Sequence, residues 1–343
     1  MSNAVSPAEA QSIAAAQHIF QIGTGYMVST ALHVAVRLRI ADRLADGPRS
    51  TADLARDTGT NEDALYRVLR LLASVGVFQE GADRTFGHSD ASALLRSDVP
   101  GSLHEMTLWI ADPFHLRVYA DAMHSVTTGQ PAVEKTVGMP VFEYFPRDPE
   151  LSEIFNDAMT AFSASMIPAA LDAYDFSGIR TLVDVAGGHG QVLTSILQRY
   201  PEMQGVLGDL EHVLAGARPR ILEQGLADRC RTEVIDFFKA VPEGGDAYIM
   251  KHIIHDWDDD RAALILSNIR RAMKPGGRVI LLDSVLLPAN QPDFGKILDL
   301  EMLLLPGGRE RTEEEFRALF ARAGFALTRV VPTRSPLSVI EAR

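Results

Sequence analysis

The stretch that decides the fold is Thr181–Pro201, which reads TLVDVAGGHGQVLTSILQRYP. Its first residues are apolar, which favours a buried strand, and its last residues place apolar side chains at helical spacing. Between them, the glycines of VDVAGGHG allow a sharp turn and a close approach of the backbone to a ligand, which the amino end of the next helix would face. An ordinary strand-to-helix turn without a ligand is the alternative for this stretch.

The residues that follow repeat this alternation of strand and helix. Further apolar strands are predicted in QGVLGDL, CRTEVIDFF, AYIMKHIIHD and GGRVILLDSVL, with helical segments between them. Such alternation is typical of a parallel sheet covered on both faces by helices. Two closing strands are predicted in FALTRVVPTRSPLSVIEAR, where proline favours an edge or a hairpin. The prediction is an α/β fold with a Rossmann-like core over residues 175–343.

The first part of the chain has a different, mostly helical pattern. A long apolar segment precedes two short helices, TADLARDTG and EDALYRVLRLLASVG, for which Ser50 and Thr60 are the expected N-caps. The segment VFQEGADRTFGHS follows as a hairpin, so residues 1–98 are predicted to form a winged-helix domain. The long helices before the wing carry more apolar surface than the wing can cover. This surplus indicates burial against a second copy of the chain, and therefore a homodimer.

A winged helix also raises the possibility of DNA binding. The second short helix carries Glu62, Asp63, Arg67 and Arg70, whose charges cancel, and the chain of 343 residues has a net charge of −12. Nucleic-acid phosphates must be neutralised by Lys and Arg, so this composition argues against a DNA-binding regulator and favours a packing module. Residues 99–174, helical in pattern and broken by prolines, are predicted to form a lead-in to the α/β core.

Two carboxylates accompany the glycine turn. Asp209 ends the next predicted strand, where nucleotide-binding α/β folds place a carboxylate that accepts hydrogen bonds from ribose hydroxyls. The turn lacks the Lys-Ser/Thr pair of a triphosphate loop, and Asp184 in the strand before it argues against a pyrophosphate. A carboxylate there suits a ligand with an amino group. S-adenosylmethionine has that amino group, a ribose and an adenine.

At this point the chain resembles a known family. LVDVAGGHG, GDLEHV, IDFF, MKHIIHDWDDD and PGGRERTEEEF stand in the order and spacing of the small-molecule O-methyltransferases of the caffeate, isoflavone and hydroxyindole type. The resemblance covers nearly the whole chain, since the winged-helix N-terminus is also part of the family, where it forms an intertwined homodimer. It implies a class I methyltransferase that transfers a methyl group from S-adenosylmethionine to a hydroxyl of a phenolic, polyketide or similar secondary metabolite.

The resemblance also places the cofactor contacts. Gly187 and Gly188 would lie under the methionine part, and Asp209 and Leu210 would hold the ribose and flank the adenine. The adenine would in addition contact Asp236, Phe237 and Lys251. One departure is Ala186, at a position where the family usually has another glycine. An added methyl group there would reduce the closeness of the backbone approach.

Proton removal from the acceptor is assigned to His255. This residue follows the AYIMKHII strand, at the carboxyl edge of the sheet where α/β folds bind ligands, and it matches the family's catalytic base. By the same resemblance, Asp283 and Glu310 would orient and stabilise it, although the family usually has Glu in place of Asp283. Alternatives are a strand-capping role for Asp283 and a surface ion pair of Glu310 with a neighbouring arginine.

The acceptor pocket is expected to be apolar and flat. Phe155, Met159, Phe162 and Met166 lie on one helix face. By resemblance, Met166 and Met302 would sandwich an aromatic ring. A hydrogen bond to the substrate hydroxyl is assigned to Asp256, and the pocket would also be lined by Asn156, Met159 and Trp257. The alternative for this helix face is ordinary core, which for Phe162 is the favoured interpretation.

Other functional classes are less favoured. His252 and His255 have metal-like spacing, but no second Cys/His cluster accompanies them, so no metal is expected and His252 is expected to point away from the site. A cofactor-binding relative without methyl transfer, such as a hydroxylase or pericyclase, is the other alternative, and retention of His255 with both carboxylates argues against it. A lone cysteine, Cys230, no secretion signal and no apolar membrane span favour a cytoplasmic enzyme.

Overall fold

The computed structural model describes residues Ser6–Arg343, apart from the side chains of Pro7 and Ser165. The expected domain over residues 1–98 therefore begins outside the described residues, and its boundary at residue 98 stays a prediction. The described residues fall into two compact units, which consist of the chain up to Leu116 with Glu153–Ala161, and of Arg117–Ser152 with Phe162–Arg343.

The first unit combines helices with a small antiparallel sheet. Its sheet has the strand order β1-β3-β2, in which β3 pairs with both neighbours. The helix, helix, hairpin order expected from the sequence is present in α3, α4 and the β2–β3 hairpin. The elements are α1 (Pro7–Arg37), α2 (Ile40–Arg43), β1 (Arg49–Ser50), α3 (Thr51–Thr58), α4 (Glu62–Ser74), β2 (Phe78–Glu80), β3 (Thr85–His88), α5 (Asp90–Ala93), α6 (His104–Ile110) and the start of α7 (Pro113–Ala120).

Side-chain caps define where the two short helices begin. The Ser50 hydroxyl accepts a hydrogen bond from the backbone N–H of Asp53, which confirms the predicted cap of α3. For α4 the predicted cap is wrong, because Asn61 rather than Thr60 accepts the hydrogen bond from the N–H of Ala64. Asparagine and threonine are both good caps, so a shift of one residue cannot be resolved from the sequence pattern alone.

Helix α1 exposes several large apolar side chains. Ile19, Phe20 and Ile22 are 69%, 74% and 64% exposed, although large apolar side chains usually avoid water. By length and composition, Ala8–Arg37 could also cross a membrane, contrary to the expectation of no membrane span. This is weak evidence for a membrane, because core helices of soluble proteins meet the same criterion. An apolar face of this size is equally typical of a surface that packs against another chain.

The second unit is built on a mixed sheet with the strand order β6-β5-β4-β7-β8-β10-β9. The strands from β6 to β8 run parallel, and β10 is antiparallel to both β8 and β9. The predicted parallel sheet and the closing hairpin are therefore confirmed, with the proline-containing strand at the edge. The strands are β4 (Thr181–Val185), β5 (Gln204–Asp209), β6 (Cys230–Val234), β7 (Ala247–Lys251), β8 (Arg278–Asp283), β9 (Leu327–Pro332) and β10 (Ser338–Ala342).

Helices cover both faces of this sheet. Successive residues of β4 point to opposite faces: Leu182 packs with Leu193 of α12 in one buried cluster, and Val183 packs with Ile269 of α14 in the other. The helices of the second unit are the end of α7, α8 (Ala122–Thr128), α9 (Ala132–Val137), α10 (Val141–Tyr144), α11 (Pro149–Ala173, which passes through both units), α12 (Gln191–Arg199), α13 (Glu211–Glu223), α14 (Asp259–Ala272), α15 (Phe294–Leu304) and α16 (Glu313–Arg322); of these, α11, α12, α13, α14 and α16 contribute to the two clusters.

The strand order fixes where a ligand can bind. Strand β4 lies between β5 and β7. The chain runs from β4 to β5 and β6 on one side and then crosses over to β7 on the other side. Open α/β sheets bind ligands in the crevice at such a point. The glycine turn, Asp209, Lys251 and Asp283 all follow or end strands at this edge.

Candidate active site

The glycine turn after β4 is closely packed. Gly188 and Gly190 have φ of 60° and 81°, a left-handed conformation that glycine adopts without strain. A Cβ atom at Gly187 would lie 2.5 Å from the Asp184 carboxylate and 2.5 Å from Leu207, so no side chain fits there. Ala186 also has a left-handed φ of 57°, although it carries a Cβ. This conformation costs roughly 1–2 kcal/mol for an L-residue other than glycine.

Asp209 is fixed by backbone donors of the turn. Its Oδ2 accepts a hydrogen bond of 2.8 Å from the N–H of Gly188, and its Oδ1 accepts one of 2.7 Å from the N–H of Leu210. Burial raises the pKa of Asp209, and these two N–H groups act against that rise. A carboxylate oxygen has more than one lone pair, so both oxygens can still accept from ribose hydroxyls.

Asp184 offers a second acceptor to a ligand. It is 1% exposed, and its Oδ2 has no hydrogen-bond partner among Ser6–Arg343. Burial raises its pKa to about 7, with a further contribution from the charge of Asp209. An unpaired buried carboxyl oxygen costs stability unless a ligand supplies a donor. The amino group of S-adenosylmethionine is such a donor, so these residues fit the cofactor that the sequence predicts.

The residues expected around the adenine differ in their surroundings. Asp236 follows β6 and forms a 2.9 Å ion pair with Lys239, which lowers the pKa of its carboxyl. Phe237 packs against Trp257 with ring centroids 6.0 Å apart. Burial lowers the pKa of Lys251 at the end of β7, against the opposing charges of Asp283 and Asp184. The charge of Lys251 thus faces the acidic groups of the site.

His255 lies in a short 3₁₀ helix, Ile254–Asp256, just beyond β7. It is 5% exposed, and its Nδ1 is 2.6 Å from Oε1 of Glu310. A carboxylate at this distance holds the proton of the neutral ring on Nδ1, which leaves Nε2 as the basic nitrogen. Glu310 is itself 1% exposed, so its alternative interpretation as a surface ion-pair partner is wrong.

Asp283 is the last residue of β8 and is completely buried. Neither of its carboxylate oxygens has a hydrogen-bond partner among the described residues. Burial raises its pKa to about 7, while the charges of His255, Arg311 and Lys251 lower it. The carboxylate lies within 4.8 Å of a ring nitrogen of His255 without bonding to it. This loose contact agrees with the presence of Asp, one methylene shorter than the Glu that the family usually has.

The loop that carries His255 is held by an arginine that the sequence did not single out. Arg311 is 1% exposed, and it donates to the backbone carbonyls of Ile254, Trp257 and Arg309. Its Nε and Nη2 both donate to Oδ1 of Asp259, at 3.0 and 2.8 Å. The planar guanidinium thereby fixes the loop on both sides of His255. The motif GGRERT contains this arginine, but nothing in the sequence shows that it is buried.

The charges around His255 match a ring that gains a proton. Burial raises the pKa of Asp256 to about 7 and that of Glu310 to about 8. Together with Asp283, these groups supply three potential negative charges, against the positive charges of Lys251 and Arg311. One further positive charge would balance the set. A protonated His255 would supply that charge, so the cluster suits a base at this position.

His252 does not point away from the site, and that prediction is wrong. Its ring is stacked on the ring of His255, with centroids 4.6 Å apart and planes at 10°. Phe162 covers its other side at 5.6 Å and 21°. His252, His255 and Asp283 bring potential metal ligands within 4.8 Å. However, a histidine binds a metal along a lone pair in its ring plane, and parallel rings direct these lone pairs side by side instead of towards one ion.

The expected acceptor residues of the second unit are Met166, Met302, Trp257 and Asp256. Met166 and Met302 are each 7% exposed. Trp257 is partly buried, and its Nε1 has no hydrogen-bond partner among the residues described. Oδ1 of Asp256 lies 3.5 Å from Nε2 of His255, the side from which a hydroxyl would approach. These positions agree with an acceptor beside the base.

The other two expected acceptor residues belong to the first unit. Asn156 is exposed and Met159 is half-buried on the Glu153–Ala161 portion of α11. The neighbouring Phe155 packs edge-on against Trp109, with centroids 5.1 Å apart. The roles of Asn156 and Met159 towards an acceptor stay predictions.

Comparison with known proteins decides the family. A profile of the O-methyltransferase domain matches residues 119–326, and a profile of the O-methyltransferase dimerisation domain matches residues 20–98. The chain belongs to the S-adenosylmethionine-dependent O-methyltransferases. The fold class predicted from the sequence is thereby confirmed, and so is the cofactor.

Individual relatives align with this O-methyltransferase over nearly its whole length. Phenazine O-methyltransferase PhzM of Lysobacter antibioticus is 44% identical over 325 residues, which are 95% of each chain. An 8-amino-8-demethylriboflavin N,N-dimethyltransferase of Streptomyces davaonensis is 36% identical, with 98% of each chain covered. The crystal structure of the O-methyltransferase NcsB1 from neocarzinostatin biosynthesis contains S-adenosylmethionine and 2-hydroxy-5-methyl naphthoic acid. It is 32% identical and has a TM-score of 0.81, covering 92% of this chain and 95% of that one.

Proposed function

We propose that this O-methyltransferase methylates a hydroxyl group on a planar aromatic secondary metabolite, and that His255 removes the proton of that hydroxyl. The observation that carries the proposal is the 2.6 Å contact between Nδ1 of His255 and Glu310, which leaves Nε2 as the base. Phenols have a pKa near 10, so a base is needed near neutral pH. The phenazine and naphthoic acid named for its relatives support an aromatic acceptor of fused rings.

The cofactor supplies a methyl group on a positively charged sulfur. When it is bound, residues of the chain would hold it with its methyl group facing the acceptor oxygen, because the displacement is in-line. Asp184 is proposed to bind the amino group, for which its unpaired Oδ2 is available, and Asp209 the ribose. The remaining proposed cofactor contacts are Gly187, Gly188, Leu210, Asp236, Phe237 and Lys251.

The proton passes from the acceptor hydroxyl to Nε2 of His255. Glu310 stabilises the resulting imidazolium through Nδ1–H, and Asp283 does so through its nearby charge. Asp256 is proposed to accept a hydrogen bond from the acceptor, which would hold the reacting hydroxyl near Nε2. Met166 and Met302 are proposed to contact the ring faces, because methionine adapts to irregular apolar ligands. Trp257, Asn156 and Met159 would complete the lining.

We further propose that residues 1–98 form a homodimer through the N-terminal helices and that residues 99–174 lead into the cofactor-binding core at 175–343. The exposed apolar side chains of α1, such as Ile19 and Phe20, support this role. Replacing Phe20 with Glu is expected to shift the mass measured by light scattering towards the monomer. A dimer that persists unchanged at low concentration would contradict this interface.

We place the enzyme in the cytoplasm, where its free Cys230 would stay reduced.

Replacement of His255 by Ala tests the base. We expect kcat to fall by about 10²–10⁴-fold, the usual contribution of a positioned general base. Binding of S-adenosylhomocysteine, measured by calorimetry, should stay near the wild-type value, because His255 is not among the proposed cofactor contacts. Full activity of the variant would contradict the assignment of His255 as the base.

A panel of phenols and aromatic amines tests which atom of the acceptor receives the methyl group. Methylation of amines alone would contradict a hydroxyl acceptor.

A further inference from the structure

His252 is held in a conformation that costs stability. Its φ is 52°, in the left-handed region that residues with a Cβ avoid. Its Nε2 is buried and has no hydrogen-bond partner in the described part of the chain. Both features are unfavourable for folding, and such features persist mainly where function needs them. Neither the proposed cofactor contacts nor the proposed base accounts for this residue.

The strained backbone places the ring of His252 in a stack that ends on the base. Phe162 lies on one side of the ring at 5.6 Å, and His255 lies on the other at 4.6 Å, with interplanar angles of 21° and 10°. The backbone N–H of His252 donates to the carbonyl of Leu282 in β8, which anchors the residue to the sheet. All three rings belong to the second unit. The face of His255 therefore has a fixed aromatic neighbour.

The charge state of His252 suits this position. Burial, together with the positive charges of Lys251 and His255, lowers its pKa well below the usual range, so the ring is neutral. A neutral aromatic face attracts a cation that lies over it. The charged groups around the two histidines are Lys251, Asp256, Asp283, Glu310 and Arg311. The charge of His255 lowers the pKa of Asp256 and of Asp283, and Arg311 donates to the backbone carbonyl of Ile254 beside it. Glu310 contacts Nδ1 of His255 in the plane of the His255 ring, whereas His252 covers the face of that ring.

We propose that His252 is a positioning residue for the methyl-transfer reaction, whose neutral ring, supported by Phe162, fixes the plane of His255 and stabilises its protonated form by stacking. The proposal rests on the proposed function, because it takes His255 as the base. The balance of the reaction is unchanged: the proton of the acceptor hydroxyl moves to Nε2 of His255, and His252 neither gains nor loses a proton.

The test compares His252→Leu, which removes the ring, with His252→Phe, which keeps a neutral ring in the stack. Both carry a Cβ, so the left-handed backbone costs them similar amounts. For His252→Leu we expect the acid limb of the kcat/KM profile to move down by about 0.5–1 pH unit, as loss of a cation–π contact implies. We also expect kcat to fall several-fold, with KM for S-adenosylmethionine near the wild-type value. His252→Phe should keep the wild-type profile.

Two further variants separate this role from general stability. His104 in α6 is likewise a buried histidine with an unpartnered ring nitrogen, but it belongs to the first unit. His104→Leu should leave the profile in place. Phe162→Leu removes the far ring of the stack, and it should move the acid limb in the same direction as His252→Leu but less far. It serves in place of His252→Leu if that variant does not fold.

The outcomes distinguish the two proposals. A wild-type profile and kcat in both His252→Leu and Phe162→Leu would overturn the role of His252, even if His255→Ala is inactive. An equal shift in His252→Phe and His252→Leu would also overturn it, because the stacked ring would then not matter. If His255→Ala keeps full activity, the base assignment fails and the role of His252 falls with it.

Discussion

Replacement of Glu310 by Gln changes only the charge of the group that bonds to His255. The amide is nearly the same size as the carboxyl. Its oxygen can still accept the hydrogen bond from Nδ1 of His255, which in the wild-type protein is 2.6 Å long. What is lost is the attraction between a carboxylate and an imidazolium. At an effective dielectric constant of about 20, two unit charges about 4 Å apart attract each other by about 4 kcal/mol.

The expected loss is smaller than this limit, because Asp283 and Asp256 also stabilise the protonated ring. A loss of about 2–4 kcal/mol corresponds to a fall in kcat of roughly 30- to 1000-fold. The assay is single-turnover methyl transfer at saturating cofactor above pH 8, where the Glu310 carboxyl is charged, followed by mass spectrometry of the product. Calorimetric binding of S-adenosylhomocysteine serves as the control and should not change. A variant that retains more than half of the wild-type rate would refute the electrostatic role of Glu310.

The remaining predictions concern the turn, the loop and pH. Ala186→Gly relieves a left-handed alanine, so it should stabilise the protein by up to about 1 kcal/mol in thermal unfolding, and a lower Tm would contradict the strain. In Arg311→Lys, the lysine cannot contact all partners of the guanidinium at the same time, so kcat should fall at least several-fold. The control is Arg317→Lys, at an exposed ion pair with Glu313, which should leave kcat unchanged. Equal effects of the two variants on kcat would argue against the role of Arg311 in holding the His255 loop. The pKa of Glu310 is raised to about 8, so the pair it forms with His255 keeps an extra proton below that pH. Activity should therefore rise between about pH 6 and 8, and a flat profile over this range would contradict the coupling.

The sheet and its ligand edge were predictable because their signals are local. Apolar strands alternate with helices, and glycines mark the turn after β4, so the parallel order and the position of the turn follow from periodicity and turn chemistry. The proline-containing strand β9 could be placed at the edge for a similar reason, since proline lacks an N–H for the ladder.

Other features depend on contacts between distant residues. The orientation of His252 follows from a left-handed φ and from packing against Phe162, 90 residues earlier in the chain, and neither has a local signal. Arg311 reads as one charge among several in GGRERT, and only the fold shows that it is buried against the loop of His255. The predicted N-cap of α4 was one residue too early, because Thr60 and Asn61 stand next to each other and both residue types are good helix caps. Burial and side-chain partners, unlike periodicity, are set by the whole fold.

The measurement that tests the central claim most directly compares wild-type enzyme with His255→Ala on a series of phenols of decreasing pKa. If His255 removes the proton, its absence matters most for phenols with a pKa near 10 and least for those already ionised at the assay pH. We expect the ratio of kcat/KM between the two proteins to fall from roughly 10³ towards ten or less along the series. A ratio that stays constant across the series would contradict proton removal by His255.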